Sequence, residues 1–484
     1  MTVTGEFQEK RWLALVLLCS AQFVVVLDAS IVNVALPSIG NALDFSQENL
    51  PWVVNAYVLT FGGFLLLGGR TADLLGRRRV FMAGLALVGI ASLVAGFAAT
   101  EGQLIAARAA QGLGAAIISP AALSIVTTTF SDGAERNRAL GVWGAVAGSG
   151  GAAGVLLGGI LTDGPGWEWV LWVNVPVSIL IFALTPRLIA ESRAEHETRA
   201  FDVAGAVTVT AALSILVYAL VDATEAGWGS TQTIGLLALS VALLAAFVAI
   251  ELRSAKPLVP FSIFRIRTLT GANVVGLLVG ASLISMFFFI SLYMQQVLGY
   301  SAIHAGLSYL PLSLVIIAAA GIASQLVTKV GYKPVLATGL LFIFIGLLWF
   351  SRVSVGGGFT TDILGPSLFA AAGLGFAFVT TTIAAVSGVE EKEAGLASGL
   401  INTSQQVGGA LGLAVLSTIA VSRTEDLTTA GPPSADALTE GFQAAFLGGA
   451  GIALLGFFLT LLLIRGSDSR AHVELGKEAA AETA

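Results

Sequence analysis

Apolar runs of helical length, each closed by a short break of charge, glycine or proline, pattern this chain from residue 11 to residue 465. Runs such as Val80 to Ala99 and Val335 to Phe350 are apolar on every face, as expected of helices with no water on any side. A hydrocarbon core of about 30 Å takes about 20 helical residues to cross. Reading the runs between breaks places helices near 11–36, 52–69, 80–99, 103–126, 139–161, 169–187, 203–221, 232–251, 271–292, 303–325, 335–351, 361–385, 396–420 and 443–465. The expected fold class is an all-α polytopic membrane protein with 14 transmembrane helices. A β-barrel would instead alternate in polarity over segments of about 10 residues. The first run, Trp12 to Val26, is read as helix one and not as a cleaved leader, because Asp28 follows it and no small-residue cleavage site does.

Composition agrees: 56% of the 484 residues are hydrophobic and 11% charged, against about 25% charged in soluble domains. The placement of charge says more. Cytoplasmic loops of membrane proteins collect Lys and Arg. With the N-terminus inside, all but three of the 24 basic residues fall on the cytoplasmic side. Arg352 and Arg423 lie outside, and Arg108 lies within helix four. One missed or invented helix would invert every later loop, so the asymmetry supports both the helix number and the orientation, with N- and C-termini cytoplasmic in a cell membrane. Val421 to Phe442 reads as a long solvated external connector, and Gly466 to Ala484 as a charged tail, disordered or loosely helical. Cys19 is the single cysteine, so no intrachain disulfide forms.

Few residues carry chemistry. Helix one reaches Asp28 about 17 residues after Arg11, roughly 25 Å along its axis, in the outer half of the membrane. Ionisable groups at such depth commonly line ion or proton pathways; the alternative is a hydrogen-bond anchor between helices. Arg108 enters from the opposite end of helix four to a similar depth, as a proton-dependent partner of Asp28 or as a static one. Gln111 and Asn33 are polar groups near the same level. Between helices two and three, Gly69, Asp73, Gly76, Arg77 and Arg78 form a compact turn in which Asp73 can accept from an Arg or from a helix N-terminus; it reads as a conformational latch beyond a simple positive anchor. Gly154, Gly158 and Gly159 close a glycine-dense helix five, which permits close packing and a pivot. Tyr57, Asn273, Gln296, Asn402 and Gln405 are uncharged polar groups suited to a cavity for neutral or weakly cationic molecules, or to helix-to-helix hydrogen bonds. His196, His304 and His472 are scattered. No metal spacing, nucleotide loop or nucleophile motif is present, which sets aside an enzyme, a metal site and a nucleic-acid partner.

Together these segments resemble the fourteen-helix drug:proton antiporters of the major facilitator superfamily. Leu27 to Pro37 resembles that family's first-helix motif, Gly69 to Arg79 its signature loop, and Arg108-Ala109-Ala110-Gln111-Gly112 its helix-four motif. Tyr293 to Pro311 and Glu393 to Gly412 resemble second-half segments of the same branch. Val155 stands where the helix-five motif has proline, Thr71 where the loop has leucine, and Glu168 where arginine is common.

The resemblance implies a six-helix bundle over 1–187, a linker over 188–268 carrying the extra helices seven and eight, a second bundle over 269–465 and a tail over 466–484. It implies proton coupling through Asp28 and Arg108, a switch at the Gly69 loop, and export of small organic molecules by alternating access. No cofactor is expected, the proton gradient supplying the energy, and a monomer embedded in the lipid bilayer suffices. The same fold also serves proton-coupled importers of small nutrients, and a receptor or membrane-embedded enzyme is the reading from another class. Leu326 to Pro334, with Lys329, Gly331 and Lys333, occupies the place of the Gly69 loop in the second half and reads as its decayed duplicate.

Overall fold

A computed structural model of the chain describes residues 10–45, 49–130, 133–192, 202–254, 257–428, 433–471 and 473–474. Among these, 14 helices are long and apolar enough to cross a membrane. They are α1 (Arg11–Ala42), α2 (Trp52–Leu75), α3 (Arg77–Ala95), α4 (Glu101–Thr129), α5 (Ala134–Asp163), α6 (Trp169–Leu188), α7 (Val203–Ala223), α8 (Thr231–Glu251), α9 (Arg267–Val297), α10 (Ile303–Val330), α11 (Tyr332–Phe350), α12 (Phe359–Val386), α13 (Ala394–Leu427) and α14 (Ala435–Leu463). No strand occurs among the described residues. The chain is a multi-pass all-α membrane protein, because in lipid each backbone N–H and C=O must be satisfied within its own helix.

Most helices outrun their apolar cores. The largest difference from the sequence reading lies at the expected external connector over 421–442. There α13 continues to Leu427 and α14 already begins at Ala435, and residues 429–432 lie outside the described set. The polar residues of 421–427 and 435–442 sit on helix. Arg423 pairs with Glu440, the Thr424 hydroxyl donates to Ala420 O, and the Ser434 hydroxyl caps α14 by accepting from Ala437 N at 3.1 Å. The tail starts as helix, one of its two expected states. Residues 466–471 are helical and Ser469 is buried. Within the expected linker residues 193–201, and within the tail residues 472 and 475–484, lie outside the described residues.

The chain forms two compact units, the first within residues 1–131, 153–266 and 388–403, the second within 132–152, 267–387 and 404–484. In the first, α2 packs on α4, α3 on α4 and α6, and α1 on α4 and α6. In the second, α10 packs on α12, α11 on α12 and α14, and α9 on α12 and α14. The two sets coincide after a shift of eight helices, as internal duplication requires. Helices α7 and α8 fall outside this repeat. α7 packs on α2, with Tyr218 stacked on Trp52 at 5.7 Å, and α8 packs on α7. Only 17% of the apolar window of α8 is buried, so most of its side chains are not enclosed by protein.

Candidate functional site

The first unit holds a charged cluster in its interior. Asp28 on α1 is 1% exposed and Arg108 on α4 0%. Arg108 Nη1 donates to Asp28 Oδ2 at 2.7 Å and to Gln111 Oε1 at 2.9 Å, and Nε donates to Val53 O on α2 at 2.9 Å. The guanidinium carbon lies 4.5 Å from the centre of the Tyr57 ring, a cation–π contact that serves where water is excluded. Asp28 Oδ1 accepts from Asn174 Nδ2 on α6 at 2.6 Å and from Gln111 Nε2 at 3.2 Å. Gln111 Nε2 also donates to Ser92 Oγ on α3 at 2.7 Å. Four helices thus meet on one carboxylate and one guanidinium, and α3 joins them through Gln111.

Local sequence explains the convergence. Arg108 and Gln111, three apart, share a face of α4. Gly112 beside them lets α2 come close, for a Cβ there would stand 2.3 Å from Tyr57 O. A buried ion pair survives only where its remaining donors and acceptors are matched, and here backbone carbonyl, amide side chain and aromatic face complete it. Tyr57 and Gln111 therefore belong to the charged cluster, the Tyr57 hydroxyl donating to Val25 O at 3.0 Å. Asn33 does not. Five residues beyond Asp28 is a turn of about 140° around the helix; Asn33 is exposed and donates to Ala29 O and Ser30 O of its own helix.

Asn174 went unnoticed in the sequence. A lone amide inside an apolar span, in Asn174-Val175-Pro176, carries the same polar-in-membrane signal that singled out Asp28.

The segment expected as a loop from Gly69 is mostly helix, α2 running to Leu75 and α3 starting at Arg77 with Gly76 as the turn, and this junction, the Gly69 loop, is held from two sides. Asp73 is fully buried and its Oδ1 accepts from Arg77 Nη2 at 3.0 Å and Nε at 3.3 Å. It also accepts from Gly395 N at 3.1 Å (Oδ1) and Leu396 N at 3.0 Å (Oδ2), in the first turn of α13, where the helix dipole favours negative charge. A Cβ on Gly69 would stand 2.4 Å from Gly395 O, so backbone meets backbone here. On the other side Arg77 N donates to Ser192 O at 2.9 Å and Arg78 N to Glu191 Oε1 at 3.1 Å. Gly76 has φ +109°, a conformation suited to glycine.

The second unit repeats this arrangement. Gly331 joins α10 to α11 with φ +84°, and Lys333 N donates to Ser469 Oγ, just after α14, at 3.1 Å, as Arg78 N does to Glu191 just after α6. An acidic residue corresponding to Asp73 is missing from Leu326 to Pro334.

Sequence reading also missed the support of Arg70. Its Nη2 donates to Pro257 O at 3.4 Å, and Glu251 at the end of α8 accepts from Leu258 N at 3.2 Å and Val259 N at 3.0 Å. These bonds tie the chain after α8 to the Gly69 loop.

On α5, Cβ atoms at Gly154 and Gly158 would stand 1.9 Å from Ser30 Oγ and 2.7 Å from Ile31 O of α1, and Gly159 is buried. The other polar residues are dispersed. Asn273 Nδ2 donates to Leu269 O and its Oδ1 accepts from Ser404 Oγ at 2.9 Å. Asn402 donates to Ser398 O and accepts from Ser119 Oγ at 3.4 Å. Gln405 is buried with Nε2 unpartnered. Gln296 is exposed in a π-helical turn at the end of α9. Among the described residues, no group of three or more His, Cys, Asp or Glu is placed to hold a metal.

Comparison with known proteins fits this architecture. The profile of the Major Facilitator Superfamily matches residues 18–413. The cephamycin export protein CmcT of Amycolatopsis lactamdurans is 42% identical over 85% of this chain and 85% of its own. The puromycin resistance protein pur8 of Streptomyces alboniger is 37% identical over 96% and 92%. The crystal structure of the human organic anion transporter MFSD10 superposes with a TM-score of 0.66 at 16% identity, covering 94% of this chain and 99% of that one, a likeness of fold alone. Duplicated helix packing, the glycine turn between second and third helices and a profile match over most of the chain agree: the chain belongs to the Major Facilitator Superfamily of membrane transporters.

Proposed function

We propose that this transporter is a proton-coupled exporter of antibiotic-sized organic molecules, acting by alternating access in a cell membrane with both termini cytoplasmic. The observation that carries the proposal is the sealed Asp28–Arg108 pair. A proton reaching Asp28 removes its negative charge and with it most of the hold on Arg108. The guanidinium then rests on Val53 O, Gln111 Oε1 and the face of Tyr57. Protonation thereby alters the contact between α1 and α4, two helices of the first bundle.

The direction of transport rests on the relatives, whose names describe export of cephamycin and resistance to puromycin. Fold by itself fixes neither direction nor substrate. The energy comes from protons alone, without a cofactor. Each charge moved inward supplies about 2.3 kcal/mol per 100 mV, enough to concentrate a solute many-fold. Asp73 and the glycines around it act as the latch of the cycle. Bundles over 1–187 and 269–465 form the moving parts within a single chain, joined by the linker over 188–268.

The test is transport of puromycin and of a cephamycin by purified protein in liposomes under an imposed pH gradient. Uphill movement opposite to the proton flow supports export. Movement in the same direction as protons would make the chain an importer and overturn the proposal.

A further inference from the structure

Asp28 has three side-chain hydrogen-bond donors, and they differ in what remains at their other ends. Arg108 carries donors only. Gln111 is pinned twice, its Oε1 accepting from Arg108 and its Nε2 shared between Asp28 and Ser92. Asn174 is pinned once. Nδ2 donates to Asp28 Oδ1 at 2.6 Å, while Oδ1 is buried with no partner in a residue only 1% exposed. Buried polar atoms are rarely left so. One helical turn along α6, Ser178 Oγ is likewise buried and unpartnered; residues four apart share a helix face.

A carboxylate accepts hydrogen bonds only, whereas a carboxylic acid also donates one. Against the charged form the amide must present N–H, as found. Against the protonated form its matching end is the carbonyl. We infer that Asn174 is a positioning residue that reads the proton on Asp28, turning its carboxamide so that Oδ1 accepts from the new Asp28 hydroxyl. A hydronium ion supplies the proton: one of its O–H bonds breaks, an O–H bond forms at Oδ1 of Asp28 and a water molecule is left; the only other exchange is of hydrogen-bond partners. The freed Nδ2 turns toward the side on which Oδ1 stood, where Ser178 Oγ is an acceptor on the same face. Asn174 thereby matches both states of Asp28, and carries the change into α6.

The charged and titratable groups on the helices packed around Asp28 are few. Arg108 and Tyr57 belong to the cluster itself. Glu101, Asp163 and Glu168 mark one set of ends of α4, α5 and α6, while Arg70 and Asp73, Arg77, Arg78 and Arg79, Glu135, Arg136 and Arg138, and Arg187 mark the opposite ends of α2, α3, α5 and α6. Lys10 and Arg11 stand at the start of α1. Asn174 is thus the neutral group with a spare acceptor at the carboxyl.

The inference rests on the proposed coupling role of Asp28, and pH-difference infrared spectroscopy of the purified full-length protein separates the two. A carboxyl C=O band that grows as pH falls and is missing in Asp28→Asn reports the proton on Asp28. The relay requires a simultaneous shift of a side-chain amide carbonyl in protein labelled with carbon-13 asparagine. It also requires the carboxyl band to move to higher wavenumber in Asn174→Leu, where its hydroxyl has lost the acceptor, and to return in Asn174→Ser. A carboxyl band present but unmoved in Asn174→Leu, or an asparagine carbonyl silent in wild type, overturns the relay alone. A spectrum with no band sensitive to Asp28→Asn overturns the coupling reading and the relay together.

Discussion

Arg108 Nη1 and Asp28 Oδ2 stand 2.7 Å apart on α4 and α1, 80 residues apart in sequence and both out of reach of solvent. Breaking a buried pair from one side strands the other charge, at a cost of about 3–5 kcal/mol. Arg108→Ala is therefore expected to lower the thermal unfolding temperature of detergent-purified protein substantially. Arg108→Lys keeps the charge but loses the fork that reaches Val53 O and the flat face against Tyr57. It should fold and show most of the transport loss, which liposome uptake measures.

The signature loop gives a prediction about rate. Asp73→Asn preserves size but removes the charge that accepts from Gly395 N, Leu396 N and Arg77. Hydrogen bonds to charged groups contribute roughly 1.5–3 kcal/mol, about ten- to a hundredfold in the occupancy of the clasped arrangement. Turnover in liposomes should fall while substrate affinity, measured by equilibrium binding, stays within about twofold of wild type.

Close packing of α5 on α1 is testable by a paired substitution. Gly154→Ala places a methyl group against the Ser30 hydroxyl and should impair both stability and transport. Ser30→Gly in the same chain removes the obstruction. The double variant is expected to recover, with a coupling energy of about 0.5–3 kcal/mol in a thermal or denaturant unfolding cycle.

Glu251 offers a prediction independent of transport. Its carboxylate accepts from Leu258 N and Val259 N, so Glu251→Ala leaves two backbone donors unsatisfied at about 1–3 kcal/mol each. Faster hydrogen exchange at the Leu258 and Val259 amides, with exchange at α4 unchanged, is the expected result.

Much of this architecture is legible in the chain because lipid imposes one rule on all helices. Apolar length and basic loops alone place the fourteen spans, Asp28 and Arg108 announce themselves as charges with no cheap place in hydrocarbon, and Asp73 stands out by its place among glycines and arginines between two spans. Neutral groups are harder to read. An asparagine or glutamine in a membrane helix gives the same signal whether it meets Asp28, as Asn174 and Gln111 do, or its own helix, as Asn33 does. Only the rotation of neighbouring helices separates these cases. Helix ends are hidden for a different reason. Between Val421 and Phe442 polarity reports water, but the backbone stays helical wherever a cap such as Ser434 or a pair such as Arg423–Glu440 supports it.

The most direct test of the central claim compares two assays on Asp28→Asn in liposomes loaded with puromycin or a cephamycin. With Asp28 as the proton site, accumulation driven by a pH gradient is abolished, while exchange of labelled for unlabelled substrate across the membrane continues without a gradient. Gradient-driven accumulation that survives in Asp28→Asn would place the coupled proton elsewhere and contradict the account.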